Sequence, residues 1–320
     1  MRPESGARTP RESTAPHLDL WSEPPSYNRP GCHTRGVGAG SRGREVSVSS
    51  PRFDRVITEP VVLSYAAYDV LHHGEFGERA AKPAGLEGVS PGATHREREA
   101  IVATALDGLR EAGLATGGTP NAALRDTLHL LHRPQRRVYG WYSMRADSGV
   151  VRGGFHVAEA DDRAVLAAVE HDRVLLEPVE PDALPSTVAG LLPDAEPVDE
   201  PPTTMPLPPA RHTAPDRARD SPAGPNEPEP PKHPDSPGHR LLDRLTAPPL
   251  DFALRAVRSQ YVSRETEREC EFPLNYYAGP LGALLTVVKR DPDEGEPLLH
   301  LFPATAEVFR RELRELGRSR

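Results

Sequence analysis

An α+β fold is what this sequence predicts: one antiparallel β-sheet of two pseudo-symmetric halves with flanking helices. Two observations carry the prediction. The first is an approximate internal repeat. Ala164 to Leu192 reads AVLAAVEHDRVLLEPVEPDALPSTVAGLL, and Ala283 to Leu316 reads ALLTVVKRDPDEGEPLLHLFPATAEVFRRELREL. Each is an apolar β-type run, a charged turn, a second apolar run, a proline junction and a helix ending on leucine. A hairpin with one helix cannot bury its apolar face alone, so two such units point to one shared sheet. The second observation is that β-type and helical segments do not alternate strictly along the chain. That pattern favours an antiparallel sheet over a parallel, doubly wound one.

The elements follow in order. Residues 1–55 are rich in Pro, Gly, Ser and Arg and lack a helical or strand period. They are expected to be disordered, because they offer little apolar surface to offset ordering. Val61-Val62-Leu63 is a short strand, and Ser64 is a helix N-cap whose oxygen can accept an orphan backbone N–H. The helix from Tyr65 runs to about Leu71, and Gly74 and Gly77 end it. Gly85–Gly92 is turn-forming. Thr94-His95-Arg96-Glu97 is a capping box. Ile101, Val102, Ala105, Leu106 and Leu109 follow it at helical spacing, and Gly113-Leu114 stops that helix.

A further helix is predicted from Pro120 to His132, with Leu124, Leu128 and Leu131 as its buried stripe. Val138–Met144 is an aromatic strand, Asp147–Gly154 a glycine-containing loop, and Phe155–Glu159 the returning strand. Ala164–Glu170 and Arg173–Glu177 form the first repeat's hairpin, and Asp182 starts its helix. Pro193–Pro237 is about one-third proline and reads as an extended, solvated linker. It divides the folded material into 56–192 and 239–320. Past it come a short helix at Arg240–Leu245, a strand at Phe252–Val257, the hairpin Leu284–Lys289 with Leu298–Phe302, and a closing helix at Ala304–Leu316.

Composition narrows the function classes. The net charge of −8 argues against a general nucleic-acid binder, which needs a basic face. No run approaches the ~18 apolar residues of a transmembrane helix, so no membrane insertion is expected. The N-terminus, MRPESGARTPREST, has no apolar core of the kind a secretory signal needs. The two cysteines lie in dissimilar contexts and frame neither a disulfide scaffold nor a zinc site. A reducing, cytoplasmic setting is expected.

Candidate chemistry is sparse. His129 and His132 sit at i and i+3 of a predicted helix, with His72 and His73 earlier. Two imidazoles on one face can share a metal, but no third ligand has suitable spacing, so a wet helix edge is the better reading. Gly36–Gly40 lacks the strand and helix that a phosphate loop needs. GxxxxGK[ST] does not occur, and the one GxSxG run, Gly88-Val89-Ser90-Pro91-Gly92, lies in the turn-forming Gly85–Gly92 stretch, not on the strand-to-helix turn that a nucleophile elbow needs. Asp161-Asp162 and Glu294/Glu296 lie in predicted turns, where solvated carboxylates belong. No catalytic residue, metal or cofactor is expected.

A family resemblance rests on particular runs. These are Leu63-Ser64-Tyr65-Ala66-Ala67-Tyr68-Asp69-Val70-Leu71, then Phe76-Gly77-Glu78-Arg79, then Val89-Ser90-Pro91-Gly92-Ala93-Thr94 with Glu97-Arg98. In the second half they are Pro273-Leu274-Asn275-Tyr276-Tyr277, Gly282-Ala283-Leu284-Leu285 and Phe302-Pro303-Ala304-Thr305. In this order they resemble the EspG family of type VII (ESX) secretion-associated proteins, over residues 61–316. The family often has a tryptophan where His72 stands here. The long proline-rich stretch is a second departure.

The resemblance implies a cytosolic chaperone that holds helical PE/PPE-like secretion substrates, without catalysis, on a two-half antiparallel sheet. It also implies where the substrate sits. By position in the element order, the matching loop is Arg145–Gly154 and the matching helix is Ala304–Leu316. The implied contact residues are Arg145, Asp147, Arg152, Val308, Phe309 and Arg310. Two rivals stay open: an interaction scaffold with another partner, and an enzyme with an unfamiliar site.

Overall fold

The structure is a computed structural model that describes residues 55–207, 237–246, 249–263 and 266–316. The expected disorder of 1–55 falls almost wholly outside the described residues, as do Cys32 and the Gly36–Gly40 run. The chain enters by β1 (Val61–Ser64) and runs through α1 (Tyr65–Phe76), α2 (His95–Glu111), β2 (Ala115–Thr116), β3 (Thr119–Pro120) and α3 (Ala122–His132). A meander follows: β4 (Arg136–Ala146), β5 (Gly149–Ala160), β6 (Arg163–Glu170) and β7 (Arg173–Val179), closed by α4 (Leu184–Ala189). Then come β8 (Thr203–Pro206) and α5 (Pro237–Thr246). The last part is β9 (Phe252–Tyr261), β10 (Glu267–Glu269), β11 (Leu274–Gly279), β12 (Gly282–Arg290), β13 (Pro297–Pro303) and α6 (Ala306–Glu315).

The strands form one 11-stranded sheet in the order β1-β7-β6-β5-β4-β9-β11-β12-β13-β8, with β10 paired to β9. Every named strand pairing is antiparallel, and β4 beside β9 is the seam between two halves. Each half winds the same way. An edge strand comes first, a four-strand meander follows, and its last strand returns beside the first. The repeat is the end of this unit: β6-β7-α4 in one half and β12-β13-α6 in the other.

Local chemistry starts the helices as expected. Ser64 accepts from Ala67 N at 3.1 Å. Thr94 and Glu97 make both bonds of the capping box. Thr305 accepts from Val308 N at 3.2 Å. Asn121, not Pro120, caps α3, accepting from Leu124 N at 2.9 Å. Pro120 instead pairs in β3 with Ala115. Asp182 does not start α4; it lies in the left-handed region at φ 60°, and the helix begins two residues later.

Two expectations are corrected. The proline-rich stretch is not solvated over its first part. Val198 and Met205 are buried, Pro197 bridges Ala283, and β8 pairs antiparallel with β13. Proline is compatible with β8 because an edge strand needs N–H groups on one side only. The remainder, 208–236, lies outside the described residues. The second correction concerns Asp147–Gly154. Only Asp147 and Ser148 turn; Gly149–Gly154 belongs to β5, in register with β4 from Trp141 to Ala146. Gly149 has φ 121° and serves the turn. Gly154 has another purpose: a Cβ there would collide with the Gly85 carbonyl, because residues 84–86 cross directly over β5.

Helices cover both faces. α4 and α6 pack together over one face on Tyr142, Phe155, Leu254, Leu285 and their neighbours. On the other face, α1–α3 cover β5–β7 through Ala158, Val165, Ala167 and Leu176. α5 and β8 close over Leu284, Leu299 and Leu301 at the far end.

Candidate functional site

Side chains alternate between faces along a strand. Val138 and Tyr142 on β4 point into the α4/α6 core. The odd-numbered residues of β4, from Arg137 to Arg145, therefore face the opposite side. So do Val150, Arg152 and His156 on β5, and Arg255 and Val257 on β9. On that side the α1–α3 layer sits over β5–β7, and the α5 cluster sits over β12 and β13. Between them lies the seam of the two halves.

The seam is a graded strip. At one end Arg137 lies over Tyr139, 5.1 Å from its ring centroid, and bonds Ser259 at 2.9 Å and Glu267 at 2.5 Å. The Tyr139 hydroxyl donates to Glu269 at 2.6 Å. Burial and that bond push the hydroxyl's pKa well above the usual tyrosine value. His156 is fully buried, with its Nδ1 donating to the Ala84 carbonyl at 2.8 Å. Burial pushes its pKa down to about 3, so it stays neutral. This end is paired and closed.

The middle and far end are open. Trp141 is 37% exposed although it stands in the centre of an 11-stranded sheet. Its cross-strand neighbours are Gly154, over which the Gly85 carbonyl lies, and Arg255, which is exposed. Arg255 also acts on Tyr277 of β11: burial pushes that hydroxyl's pKa up, and the guanidinium opposes it. The strip then reaches the β4–β5 hairpin tip. There Arg145 is 3.7 Å from Asp251, Asp147 occupies the turn, Val150 is 56% exposed and Arg152 is exposed. Among the described residues, no ion pair involves Arg152 or Arg255.

The structure thus divides the expected contact residues. Arg145, Asp147 and Arg152 share the hairpin. Val308, Phe309 and Arg310 belong to α6, which packs on the opposite face. Phe309 is completely buried and offers no surface to a partner. A helix period places 308, 309 and 313 together, but only the docked sheet shows that this face is used up. The sequence reading placed Trp141 in the aromatic strand Val138–Met144 and gave it no contact role.

His129 and His132 lie half-buried at the edge of α3, whereas His72 does not share that edge. His72 is buried between α1 and α3, with ring centroids 5.0 Å from Phe76 and 5.7 Å from His132. His132 stacks on Phe76 at 4.1 Å, and His129 pairs with Glu75 at 2.8 Å. Among the described residues, no group of three His, Cys, Asp or Glu side chains could hold a metal ion. No helix among them is long and apolar enough to cross a membrane. A groove of about 450 Å³ runs between β1 and α2, lined by Val62, Ala66, Ile101, Thr104 and Leu109. It is apolar and brings no titratable groups together. Among these features, the open strip is the one that presents at the surface both an apolar side chain and guanidinium groups without an ion pair among the described residues.

Comparison with known proteins bears on the family and the fold. The model of the EspG family matches residues 64–315, from the cap of α1 to the last residue of α6. No curated protein matches. Among solved structures, the chain is similar to the Mycobacterium tuberculosis type VII secretion system chaperone EspG5, determined in complex with a PE25–PPE41 dimer. The identity is 10% and the TM-score 0.54, over 80% of this chain and 95% of that one, so the likeness is one of fold.

Proposed function

This chain belongs to the EspG family, and from that premise we propose that it is a substrate-binding chaperone of a type VII (ESX) secretion system. It holds PE/PPE-like helical proteins soluble in the cytoplasm and performs no catalysis. The observation that carries the reading is the family match running unbroken through both halves of the sheet. The similar chaperone EspG5 was solved with a PE25–PPE41 dimer, which supports that substrate class.

The physics asks for no chemistry. A helical protein with an exposed apolar tip aggregates, and a complementary surface prevents this by covering the tip. The β4–β5 hairpin supplies such a surface on a rigid base. Arg145, Asp147 and Arg152 orient the partner, and Val150 adds apolar contact. Val308 and Arg310 lie on the other face, so the capture surface is built from the hairpin side.

The test is co-expression with a PE/PPE-type pair encoded in the same genome, followed by affinity capture. The wild-type chain is expected to retain the pair. Arg145→Glu with Arg152→Glu should weaken capture about tenfold to a hundredfold with an unchanged circular-dichroism melt. Failure of the wild type to retain any such pair overturns the chaperone reading. Full capture by the double variant removes only the hairpin assignment.

A further inference from the structure

The strip between the two helical layers carries more information than the hairpin alone. Trp141 is the largest exposed apolar side chain of the seam and stands at its centre. Its ring packs edge-on against Tyr139, centroids 5.9 Å apart, and 37% of the residue stays exposed. Its cross-strand neighbour Gly154 has no side chain, and the Gly85 carbonyl fills the place a Cβ would take. On its other side stands Arg255, with no ion pair among the described residues. Arg152 lies on the same face, two pairs further along the hairpin, and is likewise without one. This arrangement is not shared by the closed end of the strip, where Arg137 is matched by Glu267. Nor is it shared by Arg136, which is matched by Glu159 and Asp182. In this protein of net charge −8, two basic groups without an ion pair among the described residues lie beside a partly exposed indole.

We propose that Trp141 and Arg255, with Arg152, form the specificity-determining centre of the capture surface. It accepts a helical segment that presents an apolar side chain flanked by carboxylates. The inference rests on the chaperone reading and refines it by naming the chemistry the substrate must show. The apolar side chain lies on the indole; the carboxylates meet the two guanidinium groups. Trp and Arg are the residue types that dominate interface energetics when desolvated together. Planar guanidinium groups favour carboxylates, which they can bind through two parallel hydrogen bonds. The charges act on orientation and choice of partner, and the indole supplies most of the affinity.

Two synthetic amphipathic helical peptides are the probes. Both carry the same Leu/Phe stripe; one flanks it with glutamates, the other with lysines. The chain has two tryptophans, so the full-length Trp21→Phe variant leaves Trp141 as its only indole reporter. The glutamate peptide is expected to bind with a blue-shifted Trp141 emission. The lysine peptide should bind at least about tenfold more weakly. Arg255→Glu should reverse this preference, an outcome that a folding defect would not produce. Trp141→Ala, followed by peptide anisotropy, should weaken the glutamate peptide about tenfold or more.

Equal affinity for the two peptides overturns the proposal. So does a Trp141 emission that does not move, or an unchanged preference in Arg255→Glu. Displacement of the glutamate peptide by a short oligothymidylate at equal concentration also overturns it, in favour of a general anion surface. Co-expression separates the two levels. If Arg255→Glu captures the PE/PPE-type pair as well as wild type, this inference falls and the chaperone reading stands. If the wild type captures no such pair yet binds the glutamate peptide on Trp141, the surface stands and the chaperone reading falls.

Discussion

Between β1 and β4 the chain places three helices and a small hairpin; between β8 and β9, among the described residues, it places α5 alone. The strands around these insertions nevertheless wind identically. The meander and its returning edge strand come from backbone pairing, which repeats in both halves. The covers differ in chemistry as well as size. Over β12 and β13 the cover is apolar, with Leu245, Met205, Leu284, Leu299 and Leu301. Over β5–β7 it includes charge. Asp69 of α1 is fully buried; it accepts from Ser90 at 2.7 Å and forms ion pairs with Lys82 at 2.7 Å and Arg98 at 2.5 Å. This carboxylate ties α1 to the 77–92 segment and to α2. Burial alone would raise its pKa, but the bonds from Lys82, Ser90 and Arg98 outweigh that and hold it below the usual value. One winding can therefore be covered by contacts that are insensitive to solution conditions or by contacts that depend on them.

The sharpest test of this contrast is a pair of substitutions. Asp69→Asn should cost about 3–5 kcal/mol, because it leaves buried cations without their counter-charge. Leu301→Ala, in the other half, should cost about 2–5 kcal/mol by opening a cavity. Urea melts at neutral pH measure both. Raised salt should change the Leu301→Ala penalty little. A neutral Asp69→Asn would show that the ion cluster does not hold the first cover in place.

Acid should separate the halves next. Burial, with His132 and His73 nearby, lowers the His72 pKa from 6.5 to about 4. Burial, with Arg133, His129 and Arg137, also lowers His132. Lys82 opposes a charge on His72, and Asp69 favours it. Both histidines are thus neutral in the folded chain, while the unfolded chain takes up protons below about pH 6.5. Stability is full above that value and falls as pH drops towards 4, by on the order of 3 kcal/mol from His72. His72→Phe should flatten this part of the pH profile. Hydrogen exchange at pH 5 should show α1 and α3 opening before β12 and β13. The same slope in His72→Phe as in wild type would refute the histidine origin.

The smallest expected effect is at the surface of the first cover. Thr94→Ala removes one bond of the capping box and should cost about 0.5–2 kcal/mol. Leu106 is only partly buried, whereas Ala105 and Leu109 are the buried residues of α2. Leu106→Ala should accordingly cost less than Leu109→Ala. The reverse order in denaturant melts would mean that α2 is rotated on the sheet.

What the sequence by itself determined is local. Ser64, the Thr94/Glu97 box and the helical period of α2 act within one or two turns, so they are legible without the fold. The hairpin-and-helix repeat is legible because β6-β7-α4 and β12-β13-α6 are each contiguous. What only the tertiary structure decided is pairing at a distance. β8 reads as linker because its partner β13 is about ninety residues away and prolines mask it. Gly154 reads as loop because its reason is the carbonyl of Gly85, carried in by another segment. Phe309 and Trp141 are both aromatic residues in amphipathic elements. Which of them is buried and which is bare depends on the layer docked above each, and a side chain's exposure is a property of that docking.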